Sequence, residues 1–356
     1  MTDKSHHLFL PLRDGAGCSS KIPPSIVHDL LCHASLHAPH GSVATSAQDD
    51  AAAIPQEDGS WLILTTDNSM LTGETAFQCG MISALNAMSD VWAMGGEPQF
   101  LAGTLIRSPQ LREQDIVDLL RGADAAVTAA GAFYVTGQMN QMLSDAPSWL
   151  GFTAVGRVKK SQPLMLKRNL RDGQVLILTK PIGTGLLLMA FQDELCSRHE
   201  IEAVLASMCS SNQIAARVLS DFGVDACTDV SGSGLGGSLA EMASASNLSI
   251  EVDFDRVPLF PGIFKIAQRR GSQPALNIGN RDWAKALSNW IFADIDNQST
   301  ISAVLFDPQT SGGLLAGVNP TQAGAVVEQL SAAGVPAVII GRVVTGQNRT
   351  ITVLKG

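Results

Sequence analysis

Residues 159–173 read KKSQPLMLKRNLRDG. The stretch is polar and basic, holds a proline, and separates two series of apolar segments, so it is the best candidate for a linker. On its N-terminal side, "WLGFTAVGRV" (149–158), "AFYVTG" (132–137) and "FLAGTLI" (100–106) read as strands, and "SWLILTTD" (60–67) as a buried strand ending in a polar site. Between them lie two helical patterns. "AFQCGMISALNAMSDVWAMGG" (76–96) stops at Gly95–Gly96. "SPQLREQDIVDLLRGADAAVTAAG" (108–131) has Ser108 as cap, Pro109 in its first turn and Gly131 at its end. Further out, "PSIVHDLLCHASLHA" (24–38) has helical spacing.

On the C-terminal side, "QVLILTK" (174–180), "LSIEVDF" (248–254) and "PAVIIGRV" (336–343) read as strands, and "ISAVLFD" (301–307) with "GGLLAGV" (312–318) as a strand pair. "SRHEIEAVLASM" (197–208) opens with a capping box from Ser197 to Glu200, and "LGGSLAEMASAS" (235–246) and "TQAGAVVEQLSAAG" (321–334) read as helices. Both sides mix strands and helices. The class is therefore α/β or α+β, divided near 158–172 into residues 24–160 and 161–356, with residues 1–23 as a glycine-rich arm.

The 356 residues carry a net charge of -9, with 45% hydrophobic and 16% charged residues. That is enough apolar material for large cores and too little charge for disorder. No run of Lys or Arg exceeds two, so there is no basic footprint for nucleic acid or an anionic membrane. No segment reaches the roughly 18 apolar residues of a membrane span. The six cysteines stand without a CxxC and read as reduced, cytosolic thiols rather than a disulfide framework or a zinc site.

Four aspartates stand among small residues at the ends of elements: Asp50 in "QDDAAAI", Asp67 in "LTTDN", Asp90 in "NAMSDVWAMGG" and Asp229 in "CTDVSGSGLGG". Singly, each reads better as a turn or cap residue. As a set they suit Mg²⁺, which takes a few carboxylate oxygens and keeps several waters. Asn86 and Asp90 share a helix face four residues apart. The turns "DVSGSGLGGS" (229–238) and "DPQTSGGLL" (307–315) allow a backbone to approach phosphate, but neither is a Rossmann fingerprint and there is no Walker A motif. In "GAGCSSK" (15–21), Lys21 would favour a thiolate at Cys18. A mobile terminus with an idle thiol fits that spacing equally well.

In order along nearly the whole chain, "GAGC..K", "DDAA", "TTD", "NAMSDVWAMGG.P", "ILTKPIGTG", "MC..N", "TDVSGSGLGG" and "LFDPQTSGGLL" resemble the selenophosphate synthetase (selenide, water dikinase) family. The resemblance implies a two-domain, aminoimidazole ribonucleotide synthetase-like fold. Its N-terminal domain would pair with a twin in a homodimer, and its second domain would be a C-terminal α/β domain. It implies that ATP, selenide and water give selenophosphate, AMP and orthophosphate in a Mg²⁺-ATP cleft. By position it makes Asp50, Asp90 and Asp229 metal ligands and Asp67 a nucleotide-binding aspartate, with Asp90 also beside the nucleotide. Cys18 falls on the reactive cysteine and Lys21 on the phosphate-contacting lysine, both on an arm that closes over the cleft.

Some motifs depart from the family's. Ser20 replaces a frequent second cysteine, and "NSMLTGETA" with Glu74 follows "TTD". A nucleotide-facing loop, "GGHS" or "GGQT" in the family, is "TGQMN" (136–140), with Gly137 and Gln138 retained as its nucleotide contacts. Two other readings stay open: an ATP-dependent enzyme on another acceptor such as sulfide, and a non-catalytic nucleotide binder.

Overall fold

The computed structural model describes residues 26, 27, 30, 39–43, 49–143, 145–270, 275–293, 295–346 and 348–355. The arm with Cys18 and Lys21 lies outside them.

The N-terminal half is built on a five-stranded sheet, formed by β1 (Ala52–Pro55), β2 (Trp61–Met70), β3 (Glu97–Arg107), β4 (Phe133–Gln141) and β5 (Trp149–Val158) in the order β1-β2-β5-β3-β4. All neighbours are antiparallel except the β3–β4 pair. Helices α1 (Ala76–Ala93) and α2 (Glu113–Ala129) pack closely against each other. A Cβ on Gly80 would stand 1.8 Å from the Leu119 carbonyl oxygen, and one on Gly122 would stand 1.8 Å from that of Phe77. Only glycine at both places lets the backbones meet.

β2 is longer than the sequence suggests and alternates between buried and exposed residues, which is the pattern of a sheet with one covered face. Asp67 therefore sits in the middle of a strand rather than at its end. The second helix starts late. Arg112 is its N-cap, with its amide and guanidinium both donating to the Asp115 carboxylate, while Ser108 lies four residues upstream in the turn that leaves β3. The charged Arg112–Asp115 pair offers the first turn a stronger partner than a serine hydroxyl does. Residues 136–140, expected to be a loop, are part of edge strand β4, paired in parallel with β3.

The C-terminal half holds a seven-stranded sheet in the order β7-β10-β6-β11-β8-β12-β9. Its strands are β6 (Val175–Leu178), β7 (Ala226–Asp229), β8 (Ser249–Asp253), β9 (Asn289–Phe292), β10 (Leu314–Val318), β11 (Val338–Val344) and β12 (Thr350–Leu354). Helices α3 (Thr184–Gln192), α4 (Arg198–Met208), α5 (Gln213–Asp221), α6 (Gly234–Ser246), α7 (Ile263–Arg270), α8 (Ala275–Leu287), α9 (Gln298–Leu305) and α10 (Pro320–Ala332) surround it. The Ser197 capping box of α4 is present as expected.

Residues 301–305 form part of α9 and not a strand. Ile301, Val304 and Leu305 are fully buried at helical spacing, and a short apolar run fits a buried helix as well as a strand. The 159–173 stretch joins the two halves, with exposed ends and a buried middle. Met165, Leu166, Lys167 and Leu170 are buried, and the Met165 and Leu166 amides donate to Met94 and Asp225 carbonyls. This crossing segment packs into both halves, and one apolar core runs from α1 and α2 through to α5 and α10.

Candidate functional site

Period-two alternation puts Thr65 and Asp67 on the covered face of β2, and the i, i+4 spacing puts Asn86 and Asp90 on the facing side of α1. The two elements run antiparallel. The Thr65 hydroxyl donates to Asp90 Oδ2 at 2.6 Å, and one turn back Asn86 Nδ2 donates to Asp67 Oδ2. Asn86 also reaches the other half of the molecule, where its Oδ1 accepts the Ser311 amide at 2.7 Å.

From the C-terminal half, Asp229 ends β7 and is buried. Asp50, just before β1, is fastened beside it. Thr228 Oγ1 donates to Asp50 Oδ1 at 2.8 Å, and Lys167 Nζ stands 2.9 Å from the same oxygen. Lys167 also pairs with Glu241 of α6 at 2.8 Å, and Glu241 accepts the Trp283 indole N–H at 3.1 Å.

Asp50, Asp67, Asp90 and Asp229 therefore meet at the seam between the halves, close enough for their charges to act on one another. Burial, and then the charges of Asp229, Asp67 and Asp50, hold the Asp90 carboxyl well above the ordinary carboxylate range. Burial also raises Asp50, with Asp229 adding to the effect and Lys167 opposing it. Burial works to discharge Lys167, but Asp50 and Glu241 outweigh it and keep the ammonium charged beyond the usual lysine range.

The "TSGG" turn at 310–313 is the third wall. Lys180 Nζ donates to the Ser311 and Ser210 carbonyls at 2.9 and 2.7 Å. Asn212 Nδ2 donates to the Gly312 carbonyl at 2.8 Å and to Ser89 Oγ of α1 at 3.0 Å. Burial lowers Lys180 to about 7, against the pull of Asp229. A Cβ on Gly312 would fall 2.1 Å from the Val230 carbonyl oxygen, so this turn lies directly on the strand end that carries Asp229.

Behind the turn, Asp307 is fully buried, with Oδ2 accepting from the Gly185 amide at 3.1 Å and Gln309 Nε2 at 3.0 Å. Gln309 Oε1 in turn accepts the amides of Gly183 and Thr184 at the start of α3.

A nucleotide-bound Mg²⁺ is ordinarily held by one or two carboxylates together with phosphate oxygens and waters. Among the described residues, no three His, Cys, Asp or Glu side chains stand close enough to hold a metal ion by themselves. The donor set fits the first arrangement: converging carboxylates, one of which, Asp50, has a buried Oδ2 with no hydrogen-bond partner.

Gly137 and Gln138 are not brought to this seam. Gly137 pairs with Gly103, Gly103 with Phe152 and Phe152 with Asp67, so Gly137 lies three strands across, roughly 14 Å away. Thr65, Asn86, Lys167, Lys180, Asn212 and Glu241 belong to the site; of these only Asn86 is among the residues read in the sequence, as a neighbour of Asp90 on one helix face. The first two had a signal, in the period-two spacing to Asp67 and the i, i+4 spacing to Asp90.

Residues 48–158 match the N-terminal domain, and residues 171–354 the C-terminal domain, of AIR synthase related proteins. The chain belongs to that class of two-domain α/β proteins. The crystal structure of tt0281 from Thermus thermophilus shares the fold at a TM-score of 0.68 and 20% identity, covering 94% of this chain and 98% of that one. Within the class, the chain is a member of the selenide, water dikinase family. It is 34% identical over 303 residues to the selenide, water dikinase of Treponema denticola, covering 83% of each chain. It is 32% identical over 351 residues to that of Pelobacter propionicus, covering 97% of each.

Proposed function

We propose that this chain makes selenophosphate from ATP, selenide and water, releasing AMP and orthophosphate. The observation that carries the proposal is the convergence of Asp50, Asp67, Asp90 and Asp229 at the seam of a chain whose near full-length relatives are selenide, water dikinases. Asp50, Asp90 and Asp229 would hold Mg²⁺, and Asp67 and Asp90 would line the nucleotide. Bound Mg²⁺ supplies charge neutralisation at the polyphosphate.

The chain's own residues do the positioning. Thr65 and Asn86 fix the Asp90 and Asp67 carboxylates, and Asn86 ties Asp67 to the Ser311 amide, so the nucleotide side of the cleft is set jointly by both halves. Lys180 and Asn212 hold the 310–313 turn against α1 and β7. Lys21 is proposed to contact the phosphates and Cys18 to handle the selenium, carried in by the arm.

The active form is proposed to be a cytoplasmic homodimer. Support for pairing comes from the sheet face opposite α1, where Leu64, Phe100 and Phe133 are exposed, with Phe100 stacked on Phe133. Gly137 and Gln138 lie at this sheet's edge and would meet nucleotide across the dimer rather than in their own cleft. For the compartment, Cys79, Cys196, Cys209 and Cys227 are free, and no helix among the described residues is long and apolar enough to cross a membrane.

The test is ³¹P NMR of strictly anaerobic reactions containing ATP, Mg²⁺ and selenide. A selenophosphate resonance with stoichiometric AMP and orthophosphate is expected. Intact ATP, or turnover that needs sulfide instead, refutes the proposal.

A further inference from the structure

Lys167 sits in the crossing segment between the two halves, is 5% exposed, and is fixed by its backbone as well as its side chain. Its amide donates to Asp49 Oδ1 at 2.9 Å and its carbonyl accepts from Ser246 Oγ at 2.9 Å. With the main chain held on both sides, the ammonium has little freedom to leave Asp50. Asp50 Oδ1 is already occupied by two donors, Thr228 Oγ1 and Lys167 Nζ, whereas Oδ2 is buried and has none. Glu241 takes Lys167 with one oxygen and Trp283 with the other.

We infer that Lys167 is a built-in cation of the aspartate cluster: it reserves Oδ1 of Asp50, leaves only Oδ2 for a divalent ion, and has its own charge balanced by Glu241. This inference rests on the proposed divalent-cation role of Asp50. Its chemistry follows from charge. With Glu241 ionised, the Lys167–Glu241 pair is neutral and the four aspartates act on an incoming cation nearly undiminished. Without the Glu241 charge, one fixed positive charge stands beside Asp50 in a poorly screened interior and repels that cation. Without the Lys167 charge, Asp50 Oδ1 keeps only the neutral Thr228 hydroxyl and the cluster gains net negative charge. Lys167 is a positioning residue in this account, because it acts on the cation through Asp50.

The experiment is Mn²⁺ titration of the full chain with a non-hydrolysable ATP analogue, reading free Mn²⁺ by electron paramagnetic resonance, so that no turnover is needed. Glu241→Gln should weaken Mn²⁺ binding by roughly tenfold, and Lys167→Met should tighten it. Trp283→Phe, which removes a hydrogen bond to Glu241 but no charge, should leave it within about twofold. A purely structural role for the cluster would weaken binding in all three variants, and that result overturns the inference, as does unchanged affinity in Glu241→Gln. If Lys167→Met does not fold, Glu241→Gln against Trp283→Phe decides alone. Failure of the underlying reading is distinct: the unsubstituted chain would then bind no Mn²⁺ that Asp50→Asn removes.

Discussion

Asp307 should tilt the stability of this protein against alkaline pH. The side chain is fully buried behind the 310–313 turn, its Oδ1 has no hydrogen-bond partner, and burial raises the carboxyl from 3.8 to about 7, against the three hydrogen bonds that favour its charge. A carboxyl raised on folding keeps its proton in the folded state after the unfolded chain has released it. Stability is therefore full below the unfolded value and falls as pH rises towards about 7. At about 1.4 kcal/mol per unit, linkage between those two values makes the Asp307 contribution about 2–3 kcal/mol less favourable at pH 8 than at pH 5. Asp307→Asn keeps an acceptor oxygen for Gly185 and Gln309 and cannot ionise. Urea denaturation of both proteins at pH 5 and pH 8 isolates the effect, because the other buried carboxyls are common to both. The variant should gain about 2–3 kcal/mol relative to the parent between the two pH values. An equal difference at both, or a gain on acidification, refutes the reasoning.

Three further substitutions probe how the site is held. Asn86→Leu removes the donor to Asp67 and strands the buried Ser311 amide. A cost of about 2–5 kcal/mol is expected in denaturant unfolding, with weaker nucleotide binding by calorimetry. Gly122→Ala places a methyl group against the Phe77 carbonyl, so the α1–α2 pair must separate. About 1–3 kcal/mol should be lost by the same unfolding measurement. Ser197→Ala removes the Ser197–Glu200 cap of α4, which involves none of the four aspartates, and should cost about 1 kcal/mol while leaving Mn²⁺ affinity unchanged.

How far the sequence reveals this molecule depends on whether the deciding force is local. The capping box at Ser197–Glu200 and the α1 stop at Gly95 are local, and both stand as read. Residues 301–305 are not decided locally. Ile301, Val304 and Leu305 suit a strand or a buried helix, and packing among the buried apolar side chains of the C-terminal half selects the helix. The 136–140 segment is expected as a loop from the family resemblance, but β3 supplies a parallel partner and extends the strand read at 132–137 into an edge strand.

The four aspartates are visible one by one as polar residues among small ones, whereas their meeting is a product of long-range packing. Thr228 of β7 reaches Asp50 across 178 positions, and Ser311 reaches Asn86 across 225. Lys167 shows the limit most sharply. In a basic, proline-containing stretch, a lysine destined for solvent and one destined for a buried carboxylate pair look alike, because the difference lies in Asp50 and Glu241, each at least 74 positions away. A buried ammonium is tolerated only where such partners are already in place. The pair needs Asp50 from one half and Glu241 from the other brought to the crossing segment together, which makes the same ion pair a check that the aspartate cluster has been assembled.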